Sequence, residues 1–138
     1  MNVKTILIDD DEIFIMMTRK MMESSNFHKS PMSFTSGESA FSFMEKNYSA
    51  KDSYIVFLDI NMPNMNGWEF LNKIQPFVTE DNTYVFMTTS SIDDEDIAKA
   101  GENSLVVKFL SKPVLTETFN QLKELPVLQP FFKGQSNS

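Results

Sequence analysis

The chain has 138 residues, 41% of them apolar and 22% charged, which is enough for one domain with a hydrophobic core and too little for two ordinary ones. It has no cysteine and a single histidine, His28, which excludes disulfides, thiol catalysis, thiolate zinc sites and any site needing two histidines of one chain. The net charge of −7 disfavours direct nucleic-acid binding, and neither a secretory leader nor an apolar run of membrane-spanning length is present, so a cytoplasmic chain is expected.

The first element is a strand, Thr5-Ile6-Leu7-Ile8, whose unbroken apolar run suits burial on both faces. From Asp11 to about Met22, the residues Ile13, Met16, Met17 and Met21 recur at helical spacing, with Asp10 or Asp11 as the cap. Met32 to Phe34 is a weaker strand after Pro31. A helix then starts near Ser36, with Ala40, Phe41 and Met44 as its apolar stripe. Tyr54-Ile55-Val56-Phe57-Leu58 is the strongest strand of the chain. A loop with Pro63 and Gly67 leads into a helix marked by Trp68, Phe70, Leu71 and Ile74 and ended before Pro76. Tyr84 to Met87 is the fourth strand, Ile92 to Ala100 the fourth helix and Leu105 to Leu110 the fifth strand. Leu115 to Leu125 is the last helix, with Phe119 and Leu122 inward.

Five strand–helix pairs predict an α/β fold: a doubly wound, five-stranded parallel sheet of order 2-1-3-4-5. Such sheets carry their chemistry at the carboxyl ends of the strands, beside the switch point between strands one and three. Those ends hold Asp9, Asp10, Asp11 and Glu12 after strand one and Asp59 and Asn61 after strand three. Thr88, Thr89, Ser90 and Ser91 follow strand four, and Ser111-Lys112-Pro113 follows strand five. Asp9, Asp10 and Asp59 are therefore expected to converge. Three close carboxylates need raised pKa values or a bound cation. Oxygen-only ligands suit a hard ion, Mg²⁺ or Mn²⁺. With an amine at Lys112 and a hydroxyl at Thr89, the set reads as a phosphoryl-transfer site in which an aspartate can be the nucleophile.

Four motifs in order, each at a strand end, now carry a resemblance. They are Ile-Leu-Ile-Asp-Asp-Asp, Val-Phe-Leu-Asp-Ile-Asn-Met-Pro-Asn-Met-Asn-Gly, Phe-Met-Thr-Thr-Ser and Phe-Leu-Ser-Lys-Pro-Val. Over residues 3 to 125 the chain resembles the response-regulator receiver domains of two-component signalling, of the single-domain, chemotaxis-regulator-like type with a flavodoxin-like (βα)₅ fold. The resemblance implies a receiver over residues 1–125 and a tail over 126–138 without an effector domain. It implies that Asp59 is the phosphoacceptor and that Asp10, Asp59 and the Asn61 backbone carbonyl hold Mg²⁺, with Asp9 acting through metal-bound water. Thr89 is implied as the switch hydroxyl, Lys112 as the phosphoryl contact and Phe109 as the aromatic switch residue, with a cis bond between Lys112 and Pro113. The partners implied are a sensor histidine kinase or histidine phosphotransfer protein, and a downstream protein that reads the face of the fourth helix, fifth strand and fifth helix. The implied protein is a switch rather than a turnover enzyme.

Several residues admit plainer readings. Thr88 and Thr89 differ by one position, and strand alternation favours Thr89. The acidic run Asp93 to Asp96 reads as a helix start favoured by the macrodipole. The methionines read mostly as core, whereas Met62, Met65 and Trp68 lie in or near a loop and are expected to be partly exposed. His28 reads as structural or surface. Phe131-Phe132 is read equally as a patch docked on its own domain and as a partner motif, and the ending Lys133 to Ser138 reads as frayed. Phe109 stands where many receivers carry tyrosine, so a hydroxyl contact is lost and the packing role kept. Asn61 and Ser91 flank the site and are expected to tune hydrolysis. Among rival functions, a phosphorelay intermediate fits the same residues. A small Mg²⁺-dependent phosphatase would need an acid–base aspartate at Asn61, and a flavodoxin-like cofactor protein would need a phosphate loop where Asp9 to Glu12 stand.

Overall fold

A strand that is apolar on both faces can be buried only between two layers of helices. The computed structural model, which describes residues 2–28 and 30–132, has this arrangement. In chain order the elements are β1 (Val3–Ile8), α1 (Glu12–Ser24), β2 (Met32–Phe34), α2 (Gly37–Asn47), β3 (Ser53–Asp59) and α3 (Gly67–Ile74). They continue with β4 (Thr83–Thr89), α4 (Asp94–Gly101), β5 (Val106–Ser111), α5 (Thr116–Leu122) and a short α6 (Gln129–Phe132). The strands form one sheet of order β2-β1-β3-β4-β5, and every pair is parallel.

Strand alternation divides the core. Ile6, Ile8, Val56, Leu58, Val85 and Met87 pack with Ala40 and Met44 of α2 and Phe70, Leu71 and Ile74 of α3. Leu7, Ile55, Phe57, Phe86 and Leu110 face the other way, onto Ile15 and Met22 of α1 and Phe119 and Leu122 of α5. Phe27, Phe57, Phe119 and Phe132 meet on this second side, with ring centroids 4.8 to 5.8 Å apart.

The structure corrects several sequence expectations. In α1 the inward stripe is Ile15, Thr18 and Met22. Ile13 and Met16 are 65% and 52% exposed, Met17 is exposed too, and Met21 is half-buried. The helix carries two apolar stripes, and spacing alone does not say which one meets the sheet. Met62 is buried rather than partly exposed. Helix α4 starts at Asp94, because the Asp93 side chain accepts the Asp96 N–H at 2.9 Å and caps it there. Ile92, before the helix, and Ile97, within it, are exposed, and Asp96 is the one buried residue of the helix. Helix α5 ends at Leu122 rather than Leu125; Pro126 disfavours helical backbone at the residue before it.

The segment after α5 turns back onto the domain. Leu128 and Phe132 are buried among the residues of the α1–α5 side, and Phe131 meets the Tyr84 ring at 5.9 Å. The Lys123 ammonium donates to the Ser25 carbonyl and lies 5.8 Å from the Phe132 ring centroid. Of the two readings of Phe131-Phe132, the docked patch is therefore the one observed. The expected frayed ending, Lys133 to Ser138, lies outside the described residues. His28 is half-buried, with Nδ1 accepting the Ser30 N–H at 3.3 Å. Removing a buried ring leaves a cavity as well as losing its transfer free energy, so Phe132→Ala is expected to cost about 3 kcal/mol in urea unfolding. An unchanged midpoint would contradict the docking of this segment.

Candidate functional site

Parallel pairing of β1 with β3 sets Ile8 opposite Leu58, so Asp9 and Asp59 leave the sheet side by side. Asp9 is anchored by its own loop: its N–H donates to the Phe34 carbonyl at 3.1 Å, and its Oδ1 accepts the Asp11 N–H at 2.9 Å. Asp11 then caps α1, its Oδ1 accepting from Ile13 at 3.0 Å and Phe14 at 3.2 Å. After Asp59 the chain turns tightly. Gly67 N–H donates to the Ile60 carbonyl at 2.9 Å, and a Cβ at Gly67 would lie 2.6 Å from the Asp59 carbonyl oxygen, so only glycine fits. Asn64 takes a positive φ of 69°, and Asn66 and Glu69 close a capping box on α3.

These turns bring one carboxylate oxygen from each of Asp9, Asp10 and Asp59 within 4.8 Å of one another. Asp9 and Asp59 are only 2% and 3% exposed, whereas Asp10 is open to solvent. Lys112 reaches in from the end of β5, before a cis bond to Pro113, with Nζ 2.7 Å from Asp9 Oδ2 and 3.2 Å from Asp59 Oδ1. Asp59 Oδ1 also accepts the Asn61 N–H at 3.3 Å. Burial, and next the Asp9 charge, push the Asp59 pKa from 3.8 to about 6 against the pull of Lys112. Burial raises the Asp9 pKa as well, opposed by its bond to Lys112. Burial works to lower the Lys112 pKa, but the two carboxylates outweigh it and raise it. Three acids against one ammonium leave excess negative charge in a pocket of oxygen donors, a donor set that fits a hard divalent cation.

A second group lies on the opposite face of the sheet. Met87 pairs with Phe109 and Thr89 with Ser111, so Thr89 and Phe109 share the α3 side while Thr88 points toward α1. Thr89 Oγ1 donates to the Ser91 carbonyl at 2.8 Å. Phe109 is half-buried and meets the Trp68 ring edge-on at 6.4 Å. Trp68 Nε1 donates to Asp96 Oδ1 at 3.0 Å, and Lys99 lies 5.8 Å from the indole centroid. The acidic run at α4 therefore has two parts: Asp93 to Glu95 are exposed, whereas Asp96 ties the helix to α3. Sequence reasoning missed this tie, because an acid in the first turn of a helix already has a sufficient local reason to be there.

The response regulator receiver domain family matches residues 5–124. The chain belongs to that family. A two-component response regulator from Cytophaga hutchinsonii has the same fold, with a TM-score of 0.81, 30% identity and coverage of 93% of this chain and 98% of its own. A chemotaxis protein CheY homolog of Campylobacter jejuni is 28% identical over 118 residues, 83% of this receiver and 88% of that protein. Two-component response regulator ARR2 of Arabidopsis thaliana is 26% identical over 121 residues. This receiver spans 17% of ARR2, and only 6% of the hybrid signal transduction histidine kinase L of Dictyostelium discoideum, which it matches at 30% identity over 115 residues. Among the described residues, no helix is long and apolar enough to cross a membrane.

The raised Asp59 pKa has a definite consequence for stability. A carboxyl that titrates near 6 when folded and near 3.8 when unfolded costs nothing below the lower value and its full penalty above the upper one. In metal-free buffer Asp59→Asn is therefore expected to exceed the native receiver in stability by on the order of 2 kcal/mol at pH 8. The gain should shrink to nothing as the pH falls toward 4. Chemical unfolding across this range checks it, and equal stabilities at pH 8 would show that Asp59 carries no such penalty.

Proposed function

We propose that this receiver is a cytoplasmic phosphoacceptor switch, with Asp59 taking a phosphoryl group from a phosphohistidine on a sensor kinase or histidine phosphotransfer protein. The observation that carries the reading is a buried Asp59 beside the equally buried Asp9, with Lys112 against both. Asp10, Asp59 and the Asn61 carbonyl would hold Mg²⁺ or Mn²⁺ directly, and Asp9 would hold it through water. The bound ion supplies neutralisation between the acids and the phosphoryl oxygens. An Asp59 oxygen forms the new O–P bond as the N–P bond of the donor breaks, and the leaving imidazole keeps the bonding pair. Lys112 moves from pairing Asp59 to holding a phosphoryl oxygen. The amide at Asn61 cannot act as a base, which argues against a phosphatase with turnover at this site.

The readout is a change of local charge. Thr89 exchanges its Ser91 partner for a phosphoryl oxygen, and the space it leaves on the α3 side lets Phe109 turn inward. Sparse apolar burial in α4 supports movement there, since only Asp96 of that helix is buried. The α4–β5–α5 face is then what a downstream protein reads. Onward transfer to a histidine phosphotransfer protein would make the same chain a relay intermediate.

Incubation with a small acyl phosphate and Mg²⁺ is expected to add one phosphoryl group, ~80 Da by intact-mass spectrometry, and Asp59→Asn to add none. Asp10→Ala is expected to abolish Mg²⁺ binding by titration calorimetry; unchanged affinity would remove Asp10 from the ligand set. Trp68 is the sole tryptophan of the chain and lies against Phe109. Its emission should therefore change on phosphorylation of the native receiver and stay constant in Asp59→Asn.

A further inference from the structure

Lys112 has a third partner besides the two carboxylates. Its Nζ lies 4.6 Å from the centroid of the Phe14 ring, in cation–π range. The backbone that places Asp9 also places this ring. Asp9 Oδ1 holds the Asp11 N–H, Asp11 Oδ1 holds the Phe14 N–H, and the Phe14 carbonyl accepts the Thr18 hydroxyl at 2.7 Å. The ring is half-buried, and its neighbours around a small cavity include Asp9, Thr88 and Val114. Burial of an apolar side chain at this position would be met equally by leucine or methionine. Only an aromatic ring offers an ammonium a negative face.

We propose that Phe14 is a positioning residue: its ring face holds the Lys112 ammonium at the mouth of the acidic cluster. The inference deepens the phosphoacceptor reading and rests on it. In the structure the ammonium is divided between Asp9 and Asp59. When Asp59 becomes an acyl phosphate, Lys112 loses that carboxylate and must follow the new phosphoryl oxygens. The Phe14 ring is the uncharged partner of the three, and the step leaves it unaltered. It limits the ammonium to a short swing rather than a search through solvent-exposed rotamers, which a long flexible lysine otherwise populates.

The test separates ring electrostatics from packing. Mono-, di- and trifluorinated phenylalanines at position 14 keep the ring nearly isosteric while draining charge from its face. In the full chain with saturating Mg²⁺, the rate of Asp59 phosphorylation by a small acyl phosphate is expected to fall stepwise, by ~3–10-fold at the trifluorinated ring. Phe14→Leu should lose at least as much. A second readout needs no reaction: the ε-methylene NMR signal of Lys112, assigned by its loss in Lys112→Arg, should show an upfield ring-current shift that disappears in Phe14→Leu. Rates independent of fluorination, or no ring-current shift in the native chain, would overturn the proposal. A native chain that takes no phosphoryl group overturns the proposed function instead. The Lys112 signal then decides the positioning contact alone, its shift supporting the contact and the lack of one ending it.

Discussion

Asp9 and Asp59 leave adjacent parallel strands with almost no access to water, and one ammonium, that of Lys112, lies against both. Two buried anions at this separation repel strongly, and burial makes the repulsion worse by removing solvent screening. The fold tolerates them because β5 ends with its lysine pointing back across the sheet and because Asp9 and Asp59 each take a backbone N–H. The compensation is incomplete, since both carboxyl pKa values stay raised. This residual excess of negative charge makes the pocket receptive to a divalent cation and to whatever that cation brings with it.

The rest of the molecule can be read as a frame for that unbalanced charge. The apolar runs of β1 (residues 6–8) and β3 (residues 54–58) lie side by side through the core and fix the acidic pair. Gly67 lets α3 begin against the Asp59 carbonyl, so the loop after β3 turns tightly beside Asp59. The α1 cap gives the same precision to the other side of the pocket. The outer parts are looser. Helix α4 buries one residue, an aspartate, and its bond to Trp68 links it to the helix that starts beside the site. Phe109, Trp68 and Asp96 thus form a path of contacts from β5 to α4, on the sheet face that Thr89 shares and opposite Thr88. A helix attached in this way is a suitable moving part, since few contacts oppose a shift.

Much of this was legible in the residues because two strong periodicities coincided. Strand runs without polar interruption exist only where both faces are covered, so the layered parallel architecture and its order followed from the pattern. Once the order was set, the place of Asp9, Asp10, Asp59 and Lys112 followed too, since the carboxyl ends of neighbouring strands must meet. Thr89 was separable from Thr88 for a similar reason: adjacent strand residues point to opposite faces. Pro63 and Gly67 announced a loop without giving its shape.

What the sequence by itself determined, then, was the sequence of elements, their layering and the chemistry gathered at one edge. Only the tertiary structure decided which of two apolar stripes on α1 turned inward, that Asp96 and Trp68 meet, that the Phe14 ring lies under Lys112, and that Phe132 folds back onto Phe27. Each of these is a long-range contact between segments whose local patterns were already satisfied. A methionine stripe, an acidic first turn and an apolar ring all have adequate local explanations. The choice among their partners is made by packing geometry, and packing depends on the whole chain at once.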